Sequence, residues 1–472
     1  MKVSPAQLLA KKFPFTPTQG QADLFRLLEY FILEKEKYRQ VFLLKGFAGT
    51  GKTTVVSTLI EVVRKFGYKY VMLAPTGRAA KVMTNYSKQK ASTIHKKVYW
   101  QKADPYTGNL VFERQKNYHT NTIFVVDEAS MISDETDFIG GNGLLADLID
   151  YVFEDESNKL MLIGDAAQLP PVGRILSPAL DSEYLKLNFD VSVLEKELEE
   201  VMRQDEQSGI LINATALRNV LLQNSTDVKL HTKYFPDIYR MTSEKLEDGL
   251  RYAYNKYGTE NTIIICRSNK AATQYNQYIR RTIHFTENEI DVGDILMVVR
   301  NNYTTLDEGA PAGFLANGDF VEIMRVRSTE NMYGFRFANL QLRLIDYPEQ
   351  PEFEAKILLD TLHSYAPALN QEDNKKLYDN VVTDYAYIRS KKERNEVIKK
   401  DPYLNALQVK FAYALTCHKS QGGQWNAVFV DQGFLTQEGV NADFLRWLYT
   451  AMTRATNELF LMNFDPQFFI IS

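Results

Sequence analysis

The stretch VFLLKGFAGTGKTTVVSTLIEVVRKF, residues 41–66, decides the fold class. It opens on a short continuous apolar run, turns through glycines, and continues as a longer amphipathic segment, which is the pattern of strand, loop and helix. The turn GFAGTGKTT (46–54) fits G-x-x-x-x-G-K-[ST]. In that motif, glycines let backbone N–H groups wrap phosphates while the start of the helix favours their charge. The nucleotide-binding candidates are therefore Gly46, Ala48, Gly49, Thr50, Gly51, Lys52, Thr53 and Thr54. Lys52 is expected to reach the β and γ oxygens of ATP, and Thr53 to offer its hydroxyl to Mg2+. A glycine-rich turn that merely caps a helix is the bland alternative, and the strand before it and helix after it weigh against that.

The same rhythm continues outward. YVMLAP (70–75), TIFVVDE (122–128) and LMLIGD (160–165) read as further buried parallel strands ending in polar residues, the edge where open α/β sheets bind ligands. A second set follows: NTIIICRS (261–268), LQVKFAYALT (407–416), AVFVDQG (427–433) and ELFLMNF (458–464). The expected division is a first α/β domain over 1–180, a second over 181–292 and 406–472, and a β-rich insertion over 293–405. Two arms around a DPYTGN turn read as a projecting hairpin inserted in the first domain, over 95–121.

At 472 residues the chain is too long for one ordinary core, and 45% hydrophobic with 24% charged residues fits a folded, soluble protein. No segment approaches the ~20 apolar residues of a membrane span, and the N-terminus lacks the features of a secretory signal, so no membrane contact and a cytoplasmic location are expected. Cys266 and Cys417 each sit in an apolar run and read as buried free thiols. A net charge of -4 removes any argument from a globally basic surface, so contact with nucleic acid must be local. The run KKERNEVIKK (391–400) mixes both signs and reads as a solvated helix face.

TIFVVDE ends in two carboxylates suited to different tasks, Asp127 for holding Mg2+ and Glu128 for accepting a proton from an attacking water. LMLIGDAAQLPPV (160–172) adds Gln168, an amide able to orient that water or sense the γ-phosphate. Hydrolysis also needs positive charge opposite the γ-phosphate, and Arg203 in EEVMRQ and Arg454 in TAMTRA are the candidates.

Taken in order, these segments resemble the motifs of superfamily 1B helicases of the RecD, Dda and Pif group. FTPTQGQA resembles the adenine-reading segment, with Gln19 on the base, and APTGRAA and STIH resemble segments that grip DNA. DEASM, HKSQGGQW and LYTAMTRA complete the series, with Gly422 at the nucleotide and Arg454 as arginine finger. The resemblance implies two RecA-like domains, a strand-separating pin in the hairpin and an SH3-like fold in the β-rich insertion. It also implies an ATP-dependent enzyme active as a monomer that moves 5'-to-3' on single-stranded DNA and opens single-strand/duplex junctions. The implied grips are Pro75, Thr76, Thr93 and His95 on the first domain and Thr416, His418 and Lys419 on the second. Of the aromatics Tyr99, Trp100 and Phe112 around the pin, Trp100 is the one expected at the junction, and packing is the role of most. Phosphate grips do not tell DNA from RNA, so an RNA-directed motor stays open, as does a nucleotide-gated module that clamps a strand without unwinding.

Overall fold

The computed structural model describes residues 3–470 apart from 36–37, 104–109, 136–141, 203–206, 224, 308 and 436–438; in the stretch 101–112 only backbone is described. Strands β1 (Gln40–Gly46), β2 (Lys69–Ala74) and β3 (Ala91–Thr93) precede a hairpin of β4 (Tyr99–Ala103) and β5 (Leu110–Arg114). Then come β6 (Thr122–Val126), β7 (Lys159–Gly164) and β8 (Ser192–Leu198). All but the hairpin form one parallel sheet in the order β3-β2-β6-β7-β1-β8.

The apolar runs are continuous because both faces of this sheet are covered. Phe42, Leu44, Ile123, Val125, Met161 and Ile163 enter the core on one face, while their neighbours Val41, Leu43, Phe124, Val126, Leu160 and Leu162 enter the core on the other. β8 lies beyond the boundary expected at residue 180 yet belongs to this first sheet. Its sequence SVLEKEL carries three successive charges, with Glu195 and Glu197 exposed, as suits an edge strand with one face toward water.

The chain continues through β9 (Ile238–Met241) and β10 (Thr262–Cys266) into β11 (Ile295–Val298), β12 (Phe320–Met332), β13 (Phe335–Leu344), β14 (Phe353–Leu358) and β15 (Leu407–Phe411). It ends with β16 (Ala414–Thr416), β17 (Trp425–Asp431) and β18 (Ala455–Met462). β11 to β15 close into a small barrel, and the remaining strands form a second parallel sheet, β16-β10-β17-β18-β9.

One expected strand is corrected. The run 407–416 is two strands: Leu407–Phe411 pairs with β11 and β14 to close the barrel, and only Ala414–Thr416 joins the second sheet. The break is held by buried Asn276, whose Oδ1 accepts from the backbone N–H groups of Tyr413 (2.9 Å) and Ala414 (2.8 Å). Its Nδ2 donates to the carbonyls of Phe411 and Ala414.

The barrel is clasped to the first domain. Lys81 lies 3.0 Å from the buried Asp346 carboxylate and donates to Ile345 O, and the Arg78 guanidinium sits over the rings of Trp425 (4.3 Å) and Phe320 (4.6 Å). No helix among the described residues is long and apolar enough to cross a membrane.

Candidate functional site

β1 delivers its glycine-rich loop to the carboxyl edge of the first sheet. Gly49 and Gly51 adopt φ of +76° and +81°, where a side chain is strained, and a Cβ on Gly51 would meet Gln21 Nε2 and Met202 Sδ at 2.7 Å. Thr50 Oγ1 closes the loop on Phe47 O at 2.8 Å. The following helix, Lys52–Val63, starts from Gly51 with no side-chain cap, so its first N–H groups remain directed at the cleft. Lys52 Nζ donates to Gly46 O (2.6 Å) and Phe47 O (2.8 Å), which holds the ammonium over the loop.

The neighbouring strands supply the opposing acids. β6 leads into Asp127, whose Oδ1 accepts from Glu128 N (2.8 Å) and whose Oδ2 accepts from the Tyr86 hydroxyl (2.7 Å). Glu128 is held at φ +55°, and its carboxylate lies 3.7 Å from the Arg454 guanidinium, which comes from the second domain. Burial raises the Glu128 pKa above the usual carboxylate range, with Asp127 adding to the rise while Arg454 and Lys52 oppose it. That moves the group toward accepting a proton at neutral pH. Arg454 is only 3% exposed; Thr450 O, Gly423 O and Thr453 Oγ1 fix its fork. After β7, Gln168 lines the same 670 Å³ cleft, and its buried Oε1 has no hydrogen-bond partner among the described residues. Ala48, Gly49, Gly51, Lys52, Thr53 and Thr54 line one side of this cleft.

Several hydrogen bonds join the two walls. The Tyr449 hydroxyl, from the second domain's helix Ala442–Met452, donates to Asp165 Oδ2 (2.6 Å) and accepts from the loop N–H of Ala48 (2.8 Å). Thr450 Oγ1 accepts from Leu169 N, Gln421 Nε2 donates to Leu169 O, and Arg446 donates to Ala166 O. Burial keeps the Tyr449 phenol protonated by pushing its pKa well above the usual value.

Gln19 and Gly422 fall elsewhere. Gln19 is exposed and donates to Asp23, so it does not reach the cleft. The amide that does reach the loop is Gln21, fully buried, with Nε2 donating to Thr50 O at 3.1 Å and Oε1 accepting from Thr18 N. The signal for it was Thr-x-x-Gln at 18–21, a helix capping box whose glutamine is positionally fixed. Gly422 does not line the cleft; with φ +72° it passes against Thr76 and Ala79 of the first domain, and a Cβ there would meet Ala79 at 2.7 Å. Arg203 lies outside the described residues. Tyr86, Asp165, Arg446 and Tyr449 were not singled out as site residues: Asp165 and Tyr449 lie in the segments quoted around Gln168 and Arg454, but the partners of all four are distant in the chain.

A second groove, of 790 Å³, runs between the first sheet and the barrel. Pro75 and Thr76 enter it from the end of β2, and Thr93 and His95 from the end of β3, facing Arg300, Asn302 and Asn317 of the insertion. Thr76 and Thr93 each cap a helix, accepting from Ala79 N and Lys96 N at 3.2 Å, so each hydroxyl keeps its proton for another acceptor. Burial pulls His95 down to about 4, making it a neutral imidazole at physiological pH. Thr416, His418 and Lys419 do not line the groove, but Lys419 Nζ reaches its edge through Asn317 Oδ1 at 2.7 Å. Trp100 is half exposed on the hairpin, paired across from Glu113, whereas Tyr99 is buried with its hydroxyl on Asp147. The Phe112 side chain and the hairpin turn 104–109 lie outside the described residues.

The sequence matches two family models, an AAA domain over residues 26–223 and a UvrD-like helicase C-terminal domain over residues 411–462. An uncharacterized protein of Acanthamoeba polyphaga mimivirus is 25% identical across 94% of this chain and 99% of its own length. The ATP-dependent DNA helicase dda of Enterobacteria phage T4 is 26% identical, over 66% of this chain and 68% of that protein. Among solved structures, the Pif1 helicase from Bacteroides in complex with ADP-AlF3 and ssDNA is similar over 95% of this chain and 94% of that one, at 16% identity and a TM-score of 0.46. With its two parallel sheets, ordered motifs and shared cleft, the chain is similar to the RecD- and Dda-like helicases of superfamily 1B.

Proposed function

We propose that the protein is an ATP-dependent DNA helicase that moves 5'-to-3' along single-stranded DNA and opens duplexes at junctions. One observation carries the reading: Glu128 from the first sheet and Arg454 from the second face each other at 3.7 Å across a cleft floored by the phosphate loop. Lys52 and the loop N–H groups hold the β and γ phosphates, Glu128 takes the proton of the attacking water, and Gln168 orients that water. Arg454 stabilises charge on the γ-phosphate from the opposite wall, so ATP ties the walls together and hydrolysis frees them. Thr53 and Asp127 suit a Mg2+ held jointly with the nucleotide, and such an ion needs no second protein carboxylate; bound there, it would neutralise charge on the phosphate oxygens.

Pro75, Thr76, Thr93 and His95 grip the strand in the groove, and Lys419 at its edge supplies the second domain's hold. Trp100 faces the junction. We assign β1 to β8 and their helices to one motor domain, β9, β10 and β16 to β18 to the other, and the barrel to the insertion. A cytoplasmic monomer is the working form. The test offers duplexes with a 5' or a 3' single-stranded tail, in DNA and in RNA, with ATP and Mg2+. Separation of the 5'-tailed DNA supports the proposal. Preference for RNA would favour the RNA-directed motor, and ATP hydrolysis without separation of any duplex would favour the strand clamp.

A further inference from the structure

One helix touches both the groove and the cleft. Helix Gly77–Ser87 begins at its N-cap Thr76, which lines the groove. About 15 Å further on, ten steps of about 1.5 Å along the helix from Thr76, its last turn carries Tyr86 into the cleft, where the hydroxyl donates to Asp127 Oδ2 at 2.7 Å. The other bodies of the protein hold the same helix: Gly422 of the second domain lies against Thr76 and Ala79, and the barrel's Asp346 holds Lys81. A short helix with buried Ala79, Ala80 and Met83 shifts as a unit, so a displacement at Thr76 moves the Tyr86 hydroxyl. The neighbouring backbone confines Tyr86 further, since Ser57 Oγ donates to its carbonyl.

We propose that Tyr86 is a positioning residue that carries the state of the groove to Asp127, so that a bound strand and a bound nucleotide strengthen each other through this helix. The inference rests on the reading of the cleft as an ATP site and the groove as a DNA site. Asp127 Oδ1 is already fixed by Glu128 N, so Tyr86 sets the remaining oxygen, the one whose direction the backbone leaves open.

Tyr86→Phe removes only the oxygen. The affinity of a non-hydrolysable fluorescent ATP analogue is measured with and without saturating oligo-deoxythymidine, and the affinity of labelled oligo-deoxythymidine with and without the analogue. Coupling between two sites is commonly about 5- to 150-fold and is the same read from either ligand. In Tyr86→Phe the coupling should fall by about threefold or more in both directions, with affinity for the strand alone within about twofold of the parent. A merely structural role would weaken each ligand without changing the ratio. Unchanged coupling would overturn the inference, as would a parent in which strand and nucleotide ignore each other. A Tyr86→Phe chain too unstable to assay would assign the hydroxyl to folding and overturn it as well. Failure of the parent to bind either ligand would instead sink the functional reading beneath it.

Discussion

Removing one oxygen from Tyr449 should uncouple the two walls of the cleft. The hydroxyl donates to Asp165 Oδ2 at 2.6 Å and accepts from Ala48 N at 2.8 Å, and the ring is 1% exposed. A hydrogen bond to a charged group contributes about 1.5–3 kcal/mol and a neutral one about 0.5–1.5 kcal/mol, so Tyr449→Phe removes about 2–4 kcal/mol from contact between the walls. At 1.4 kcal/mol per decade this is a factor of about 30 to several hundred in the equilibrium that joins them. A water taking the place of the hydroxyl brings the loss toward the lower figure. The assay is kcat/KM for ATP with single-stranded DNA present, which should drop by about tenfold or more. A double-mutant cycle with Asp165→Asn should return a coupling of about 1–3 kcal/mol. A kcat/KM within about twofold of the parent, or strictly additive effects in the cycle, would refute the reasoning.

Phosphate-release assays should find Lys52→Ala inactive, while Glu128→Gln binds ATP and fails to turn it over; normal hydrolysis by either contradicts the roles given to them. Burial brings Lys419 down to about 8. It is charged below that pH and neutral above it, so its hold on a strand is complete under acidic and neutral conditions and fades as pH rises through about 8. Anisotropy titrations between about pH 7 and 9 should show that decline in the parent and not in Lys419→Arg, and identical profiles would remove Lys419 from the grip. Asp346→Ala leaves buried Arg78 without its acid and should cost about 3–5 kcal/mol in urea unfolding; a loss under about 1 kcal/mol would show that the clasp between barrel and first domain contributes little.

The parallel sheets were legible because their strands are apolar on both faces, and the phosphate loop because its glycines and Lys52 have fixed spacing. The same local logic misread 407–416, where the sequence is largely apolar with no turn signal and the break depends on Asn276, 137 residues from Tyr413. β8 escaped because SVLEKEL carries too much charge to read as sheet, yet an edge strand tolerates that charge. Gln19 and Gln21 sit two residues apart on one helix. Only the capping box separates the exposed side chain from the buried one. Tyr86 and Tyr449 belong to a different class of residue, because their partners Asp127 and Asp165 are brought to them by the folded chain. A tyrosine in an amphipathic helix gives no local sign that its hydroxyl ends on a carboxylate.

The most direct test of the shared cleft is steady-state ATP hydrolysis by Arg454→Ala at saturating ATP and single-stranded DNA. An arginine acting on the γ-phosphate from the second domain is worth about a thousandfold or more in kcat, so the variant should lose that much while still binding nucleotide within about tenfold of the parent. Hydrolysis at the parental rate would mean that the second wall takes no part in the chemistry.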